Sequence, residues 1–157
     1  MNGTGYSSKL VLPNNLHSLL ASQLFADELA KKAQLDSIER AKICLGLEEA
    51  ILNVITHSYG TEEKAMYEII FRITDSLFSI VVRDDGKPFD CEAAAYQEET
   101  AVKDIDSYPE SGLGFQIMRY SFDQVMVRNY PSGKELHLIK YLLPPEDLPG
   151  MSESAKE

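Results

Sequence analysis

The spacing of apolar residues changes near Ala65, and this change constrains the fold more than any other feature of the sequence. Before it, apolar residues from Leu16 onward recur every three or four positions, which is typical of amphipathic helices. After it, apolar residues from Tyr67 to Ile73 occupy every second position, which is typical of a strand. The sequence therefore predicts helices that cover a sheet, rather than an all-helical bundle or an all-β barrel.

The same spacing, with turn and cap signals, predicts the order of the elements. They begin with a strand at Lys9–Leu12, a helix from Leu16 to Lys32 and a long helix from the N-cap Asp36 to Gly60. A hairpin of Ala65–Thr74 and Leu77–Arg83 follows, and then a polar acidic loop from Asp84 to Gly114. The last elements are a short helix at Gly114–Tyr120 and strands at Phe122–Asn129 and Glu135–Leu143. This order predicts an α/β (α+β) two-layer sandwich, with a mixed, mostly antiparallel sheet and the helices on one face.

Length and composition predict one domain, at residues 9–143, with flexible termini at 1–8 and 144–157. Fifteen Lys and Arg against twenty-five Asp and Glu give a net charge of −10, which argues against nucleic-acid binding. The acidity is consistent with a basic protein partner, and equally with a role in solubility alone. The two cysteines, Cys44 and Cys91, have neither zinc-ligand nor disulfide spacing. Without a secretion signal or about 18 consecutive apolar residues, the chain is expected to be soluble, cytoplasmic and not bound to a membrane.

A polar stripe lies on the long predicted helix, where Glu49, Asn53 and His57 follow one another at four-residue intervals. Side chains at this spacing share one helix face. The stripe is consistent with a solvated face. It is also consistent with a site in which the Asn53 amide oxygen binds Mg²⁺ and Glu49 orients an attacking hydroxyl.

Two glycine motifs follow in the sequence. Asp84 and Gly86 end a predicted strand, where a carboxylate can accept a hydrogen bond from an adenine amino group, although an Asp-x-Gly sequence also forms ordinary turns. Gly112 and Gly114 open a predicted helix, whose free N–H groups favour phosphate, although such glycines also serve only to turn the chain. A Walker A loop is absent, because Glu135 stands where Ser or Thr is required after Lys134.

Taken in order, these motifs resemble the GHKL ATPase superfamily over about Leu10 to Leu143, and within it the small anti-sigma-factor serine/threonine kinases of bacteria. The resemblance rests on the Glu-xxx-Asn-xxx-His helix, the Asp-x-Gly strand end and the Gly-x-Gly-Phe helix start. Histidine kinases of the superfamily carry a second glycine where this chain has Pro88. This departure favours the anti-sigma branch.

The resemblance implies a Bergerat ATP-binding fold. In it Glu49 is the catalytic base, Asn53 holds Mg²⁺, Asp84 reads adenine and the loop from Cys91 to Ser111 covers the nucleotide. The remaining nucleotide contacts that it implies are His57, Gly86, Pro88, Gly112, Leu113, Gly114 and Phe115.

The function that the resemblance implies is an ATP-dependent protein serine/threonine kinase. Such a protein phosphorylates a STAS-domain anti-sigma-factor antagonist, sequesters a sigma factor and is usually a homodimer. Two alternatives stay open at this point. One is a regulatory module that binds ATP and a partner without turnover, and the other is a detached ATP-binding domain of a histidine kinase.

Overall fold

The computed structural model describes residues 5–58, 65–86 and 110–148. Its strands are β1 (Tyr6–Pro13), β2 (Met66–Ile73), β3 (Leu77–Asp84), β4 (Gln124–Tyr130) and β5 (Gly133–Tyr141), and its α-helices are α1 (His17–Lys32), α2 (Ser37–Asn53) and α3 (Glu110–Ser121). A π-helical turn at Val54–Ser58 continues α2, and a short 3₁₀ turn occupies Pro145–Asp147. Within these ranges the predicted order of helices and strands is confirmed.

The five strands form one sheet in the order β1-β2-β3-β5-β4, and every pairing between them is antiparallel. Both predicted hairpins are present, β2 with β3 and β4 with β5. β1 lies at one edge, beside β2. The fold is the predicted two-layer sandwich, with all of its observed strand pairs antiparallel.

The helices cover one face of the sheet, and the core lies between the two layers. Along β2 and β3 every second side chain is buried, as strand geometry requires when one face is covered. The fully buried large side chains come from α2, α3 and the three central strands: Ile43, Leu47, Ile51, Met118, Tyr67, Ile69, Phe71, Phe78, Ile80, Val82 and Leu138. The opposite face carries ion pairs, among them Arg83 with Glu135.

Helix α2 begins as predicted at its N-cap, because the Asp36 Oδ1 atom accepts a hydrogen bond from the Glu39 N–H at 2.9 Å. In a capping box the Glu39 side chain would also accept from the Asp36 N–H, but only the first of these two hydrogen bonds is present. The Glu39 carboxylate instead contacts Lys42 and, at 2.6 Å, the Nζ atom of Lys140 on β5. The N-terminus of α2 is thereby connected to the sheet.

Several predicted boundaries were wrong, among them those of β4 and β5, which occupy Gln124–Tyr130 and Gly133–Tyr141 rather than Phe122–Asn129 and Glu135–Leu143. β1 begins three residues before Lys9, at Tyr6. α3 begins at Glu110 rather than Gly114, so both glycines lie inside the helix. The chain after Pro144, predicted to fray, forms the 3₁₀ turn, and Leu148 is buried. The predicted end of α2 at Gly60 lies outside the described residues, and the extent of the domain stays a prediction.

Candidate active site between the helices and the sheet

Glu49 and Asn53 lie in the last turns of α2, and both side chains are partly buried. Their neighbours Ala50, Ile51 and Val54 are buried in the core, and this packing holds the end of the helix in place. The following turn is π-helical, a geometry that often marks functional sites. The backbone of His57 belongs to that turn, and its side chain lies outside what the structure describes.

The carboxylate of Glu49 meets the backbone of α3 at Gly114. A Cβ atom added to Gly114 would come within 2.7 Å of Glu49 Oε2. Glycine inside a helix costs about 1 kcal/mol relative to alanine, and here it admits the carboxylate. Two of the motifs found in the sequence are therefore brought into contact.

Burial and charge both act on Glu49. Its partly buried position raises the pKa of the carboxyl above the ordinary value, and the neighbouring Glu48 carboxylate raises the pKa further. The Glu48 side chain itself accepts a hydrogen bond from Gln23 of α1 at 3.0 Å. A carboxylate with a raised pKa is a stronger proton acceptor, which suits general base chemistry.

The first turns of α3 carry the second glycine motif. Gly112 belongs to the first helical turn, where backbone N–H groups have no partner within the helix. The Leu113 side chain is 43% exposed. Phe115 points the other way and packs against the core cluster, as does the buried Met118. These contacts fix how α3 sits on the sheet.

Asp84 ends β3 with its side chain on the helix-covered face. It follows Ile80 and Val82 at every second position, and all three residues are buried. Its Oδ1 atom accepts a hydrogen bond from the Gly86 N–H at 2.9 Å, which forms the predicted Asp-x-Gly turn. Asp84 and Glu49 thus lie on the same side of the sheet.

Lys134 also belongs to this region, although no sequence motif predicted it. It pairs with Asp84 across β3 and β5, and its Nζ atom lies 3.8 Å from Asp84 Oδ2. Sequence alternation could have found it, because Lys134, Leu136 and Leu138 occupy every second position of one strand. Such spacing puts a lysine on the same face as two leucines, which is unusual for a solvated cation.

Several predicted residues lie outside the described part of the chain. Pro88 is among them, and so are residues 91–109 of the predicted cover over the nucleotide. Within the described ranges no group of three or more His, Cys, Asp and Glu side chains is arranged to hold a metal ion. No helix in those ranges is both long and apolar enough to cross a membrane.

Comparison with known proteins gives the class. Residues 12–140 match the family described as "Histidine kinase-like ATPase domain". Among solved structures the fold is similar to the RsbU and RsbW domains of Rv1364c from Mycobacterium tuberculosis, with a TM-score of 0.61, 13% identity and coverage of 86% of this chain and 32% of that one. The catalytic domain of the histidine kinase ThkA gives a TM-score of 0.52 at 17% identity, over 88% of this chain and 99% of that one.

Two curated relatives indicate which branch of the histidine kinase-like ATPases the chain belongs to. The serine-protein kinase RsbW of Staphylococcus epidermidis is 34% identical over 116 residues, which cover 70% of this chain and 69% of the relative. The anti-sigma F factor of Pasteuria penetrans is 35% identical over 115 residues, which cover 70% and 75%. The chain therefore belongs to the anti-sigma-factor serine/threonine kinase family of the histidine kinase-like ATPases. Membership of this family supports ATP use and a kinase-like regulatory role.

Proposed function

We propose that this protein is an Mg-ATP-dependent serine/threonine kinase of a bacterial partner-switching system. Its substrate would be a serine on a STAS-domain anti-sigma-factor antagonist, and its second partner would be a sigma factor that it holds inactive. The names of the relatives support this proposal, since one is a serine-protein kinase and another an anti-sigma factor. We expect a cytoplasmic homodimer.

The contact between Glu49 and Gly114 carries the proposal. It joins a partly buried carboxylate, whose pKa is raised by burial, to a glycine in the second turn of a helix. A protein kinase needs a proton acceptor beside the place where phosphate binds. A merely solvated helix face would not require a glycine opposite its carboxylate.

The side chains of the site fit a magnesium nucleotide. Asn53 offers an amide oxygen, a ligand type that Mg²⁺ accepts alongside phosphate oxygens and water. Asp84, held by the Gly86 N–H, offers a carboxylate to an amino group of the base. The free N–H groups at the start of α3 favour anionic phosphate. Bound Mg-ATP would supply the γ-phosphoryl group for transfer.

The remaining nucleotide contacts that we propose are His57, Pro88, Gly112, Leu113, Gly114 and Phe115, with residues 91–109 as the cover. Glu49 would accept the proton of the substrate serine hydroxyl as the serine oxygen bonds to the γ-phosphorus of ATP, while the bond from that phosphorus to the bridging oxygen breaks and ADP leaves. Its partial burial limits competing hydrogen bonds from water. Its position on α2, fixed from behind by Ala50 and Ile51, would hold the acceptor still.

Phosphotransfer tests the proposal directly. The purified chain is incubated with labelled ATP and a cognate STAS-domain protein, and the label on that protein is measured. We expect Glu49→Gln to reduce transfer at least about 100-fold, in the range seen for loss of a general base, while ATP binding changes little. Glu28→Gln is the matched control, because Glu28 lies on α1, is 70% exposed and is not among the groups that shift the pKa of Glu49, so transfer should stay nearly intact.

Equal transfer by the wild type and Glu49→Gln would remove Glu49 from its proposed role. Tight ATP binding without transfer to a verified partner would identify the protein as a regulatory module that uses ATP without turnover. Label that appears on histidine, stable to base and labile to acid, would assign the chain to the histidine kinases.

A further inference from the structure

A buried lysine lies beside the carboxylate that we assign to the nucleotide base. The Lys134 side chain is 9% exposed and that of Asp84 is 1% exposed, and their charged atoms are 3.8 Å apart. At this distance the two groups form an ion pair, and the distance is longer than that of a direct hydrogen bond. A buried ammonium group is strongly disfavoured unless a nearby group compensates its charge.

The backbone around this pair is closely packed. Gly133 has a φ of +146°, and a Cβ atom added there would overlap the Asp84 carbonyl oxygen and come within 2.7 Å of the Asp85 Cα. The start of β5 is therefore pressed against the end of β3, and only glycine fits. This contact fixes where the Lys134 side chain begins, and so where its ammonium group can reach.

Both charged groups line a cavity of about 530 Å³ at this end of the sheet. Its volume lies in the range of small-molecule sites. Its lining includes Met66, Tyr67 and Tyr130, and also the charged residues Glu68, Arg83 and Glu135 of the open face. Burial lowers the pKa of Lys134, and the Asp84 carboxylate acts in the opposite direction.

We propose that Lys134 is a positioning residue that orients the Asp84 carboxylate toward the 6-amino group of a purine, and so sets the preference for adenine. The inference rests on the proposed ATP-dependent function. The Gly86 N–H holds Oδ1 and the Lys134 ammonium group lies beside Oδ2, so the carboxylate is held from two sides. In this orientation an amino group finds an acceptor, whereas a 6-keto group meets negative charge.

Base preference can be measured without any phosphotransfer. Dissociation constants are determined by calorimetry for ATP and for purine riboside triphosphate, which lacks the 6-amino group. We expect the wild type to prefer ATP by about tenfold or more, the size of one hydrogen bond to a charged group. Lys134→Met should reduce this preference to less than about threefold, whereas Lys134→Arg, which keeps the charge, should retain most of it.

Lys140→Met is the matched control, because Lys140 lies on the same face of β5 as Lys134 but pairs with Glu39 and Asp123 instead of Asp84. We expect it to leave the preference unchanged. The double variant Asp84→Asn/Lys134→Met should show no further loss beyond Asp84→Asn alone, since Lys134 is proposed to act through Asp84. Circular dichroism checks folding, and Lys134→Gln replaces Lys134→Met if the latter does not fold.

An unchanged preference for ATP in folded Lys134→Met or Lys134→Gln would overturn the inference. So would a further loss in the double variant, because Lys134 would then act independently of Asp84. A wild type that binds neither nucleotide would instead contradict the proposed function. The two failures are therefore distinguishable in one set of titrations.

Discussion

Helices α2 and α3 approach each other closely at two glycines, and different groups fill the space at each. A Cβ atom on Gly46 of α2 would come 2.6 Å from Cε2 of Phe122 and 2.8 Å from Cβ of Ser121. A Cβ atom on Gly114 of α3 would come 2.7 Å from a carboxylate oxygen of Glu49. We call these the packed end and the site end of the α2–α3 contact. One glycine admits a buried aromatic ring, and the other admits the carboxylate that we propose to be the catalytic base.

Two carboxyl groups of α2 repeat this contrast in their electrostatics. Toward the packed end, the hydrogen bond from Lys140 lowers the pKa of Glu39, with Lys42 acting in the same direction. Toward the site end, burial raises the pKa of Glu49. Folding therefore favours the charged form of Glu39 and disfavours the charged form of Glu49. At neutral pH the charge on Glu39 therefore stabilises the folded state, whereas the charge on Glu49, on the same helix, destabilises it.

The largest expected effect is at the packed end. Gly46→Ala should lower the free energy of unfolding by about 2 kcal/mol, because the added methyl group overlaps a fully packed ring. The intrinsic helix preference of alanine, about 1 kcal/mol, acts in the opposite direction and should not prevail. Urea unfolding followed by circular dichroism measures the change.

The double variant Gly46→Ala/Phe122→Leu is the control, because the smaller side chain removes the overlap. It should recover part of the loss relative to the two single changes. A Gly46→Ala protein as stable as the wild type would show that α2 and α3 can separate at little cost. The close contact of Gly46 with Phe122 would then contribute little to stability.

A second, smaller effect concerns pH. The pKa of Glu39 is lowered in the folded state, so its stabilisation is present above the unfolded pKa and is lost as pH falls through the folded pKa. Glu39→Gln should therefore cost about 1 kcal/mol at pH 7, and the difference from the wild type should vanish in acid. Urea unfolding at several pH values between 7 and 3 measures this.

Glu28→Gln is a suitable control for the pH series. The Glu28 side chain also pairs with a lysine, Lys31, but it is 70% exposed. Solvent screens such a pair, so Glu28→Gln should change the free energy of unfolding by close to zero at every pH. If Glu28→Gln and Glu39→Gln lost the same stability, the link from α2 to Lys140 would be no stronger than an ordinary surface ion pair.

Much of the fold could be predicted because its signals are local. The alternation from Tyr67 to Ile73 reports a half-buried strand, and the helical spacing of Ile43, Leu47 and Ile51 reports the buried face of α2. The Asp36 N-cap was correct for the same reason, since the hydrogen bond spans only three residues. Such patterns depend on neighbours along the chain.

The errors arose where distant residues decide the outcome. Gly114 lies inside α3 and not before it, and the space that a side chain there would need is occupied by Glu49, more than sixty positions away in the sequence. Glu39 turns to Lys140 on β5 instead of completing the capping box. Lys134 becomes a partner of Asp84 only through strand register. Sequence motifs named the residues of the candidate site, but not these contacts.

The smallest expected change in stability is at the site end. Gly114→Ala overlaps only the terminal oxygen of a flexible side chain, so Glu49 can move aside. Because alanine suits a helix better than glycine, stability should stay the same or rise by up to about 1 kcal/mol, opposite in sign to Gly46→Ala.

The displaced carboxylate should nevertheless reduce phosphotransfer by about 100-fold, since a misplacement of about 1 Å can cost that much. Adding Glu49→Gln to Gly114→Ala should then lower transfer little further, because both changes remove the same acceptor. Urea unfolding and labelled-ATP transfer on the same protein preparations measure the two properties. A loss of stability equal to that of Gly46→Ala, with transfer intact, would mean that both glycines serve packing alone.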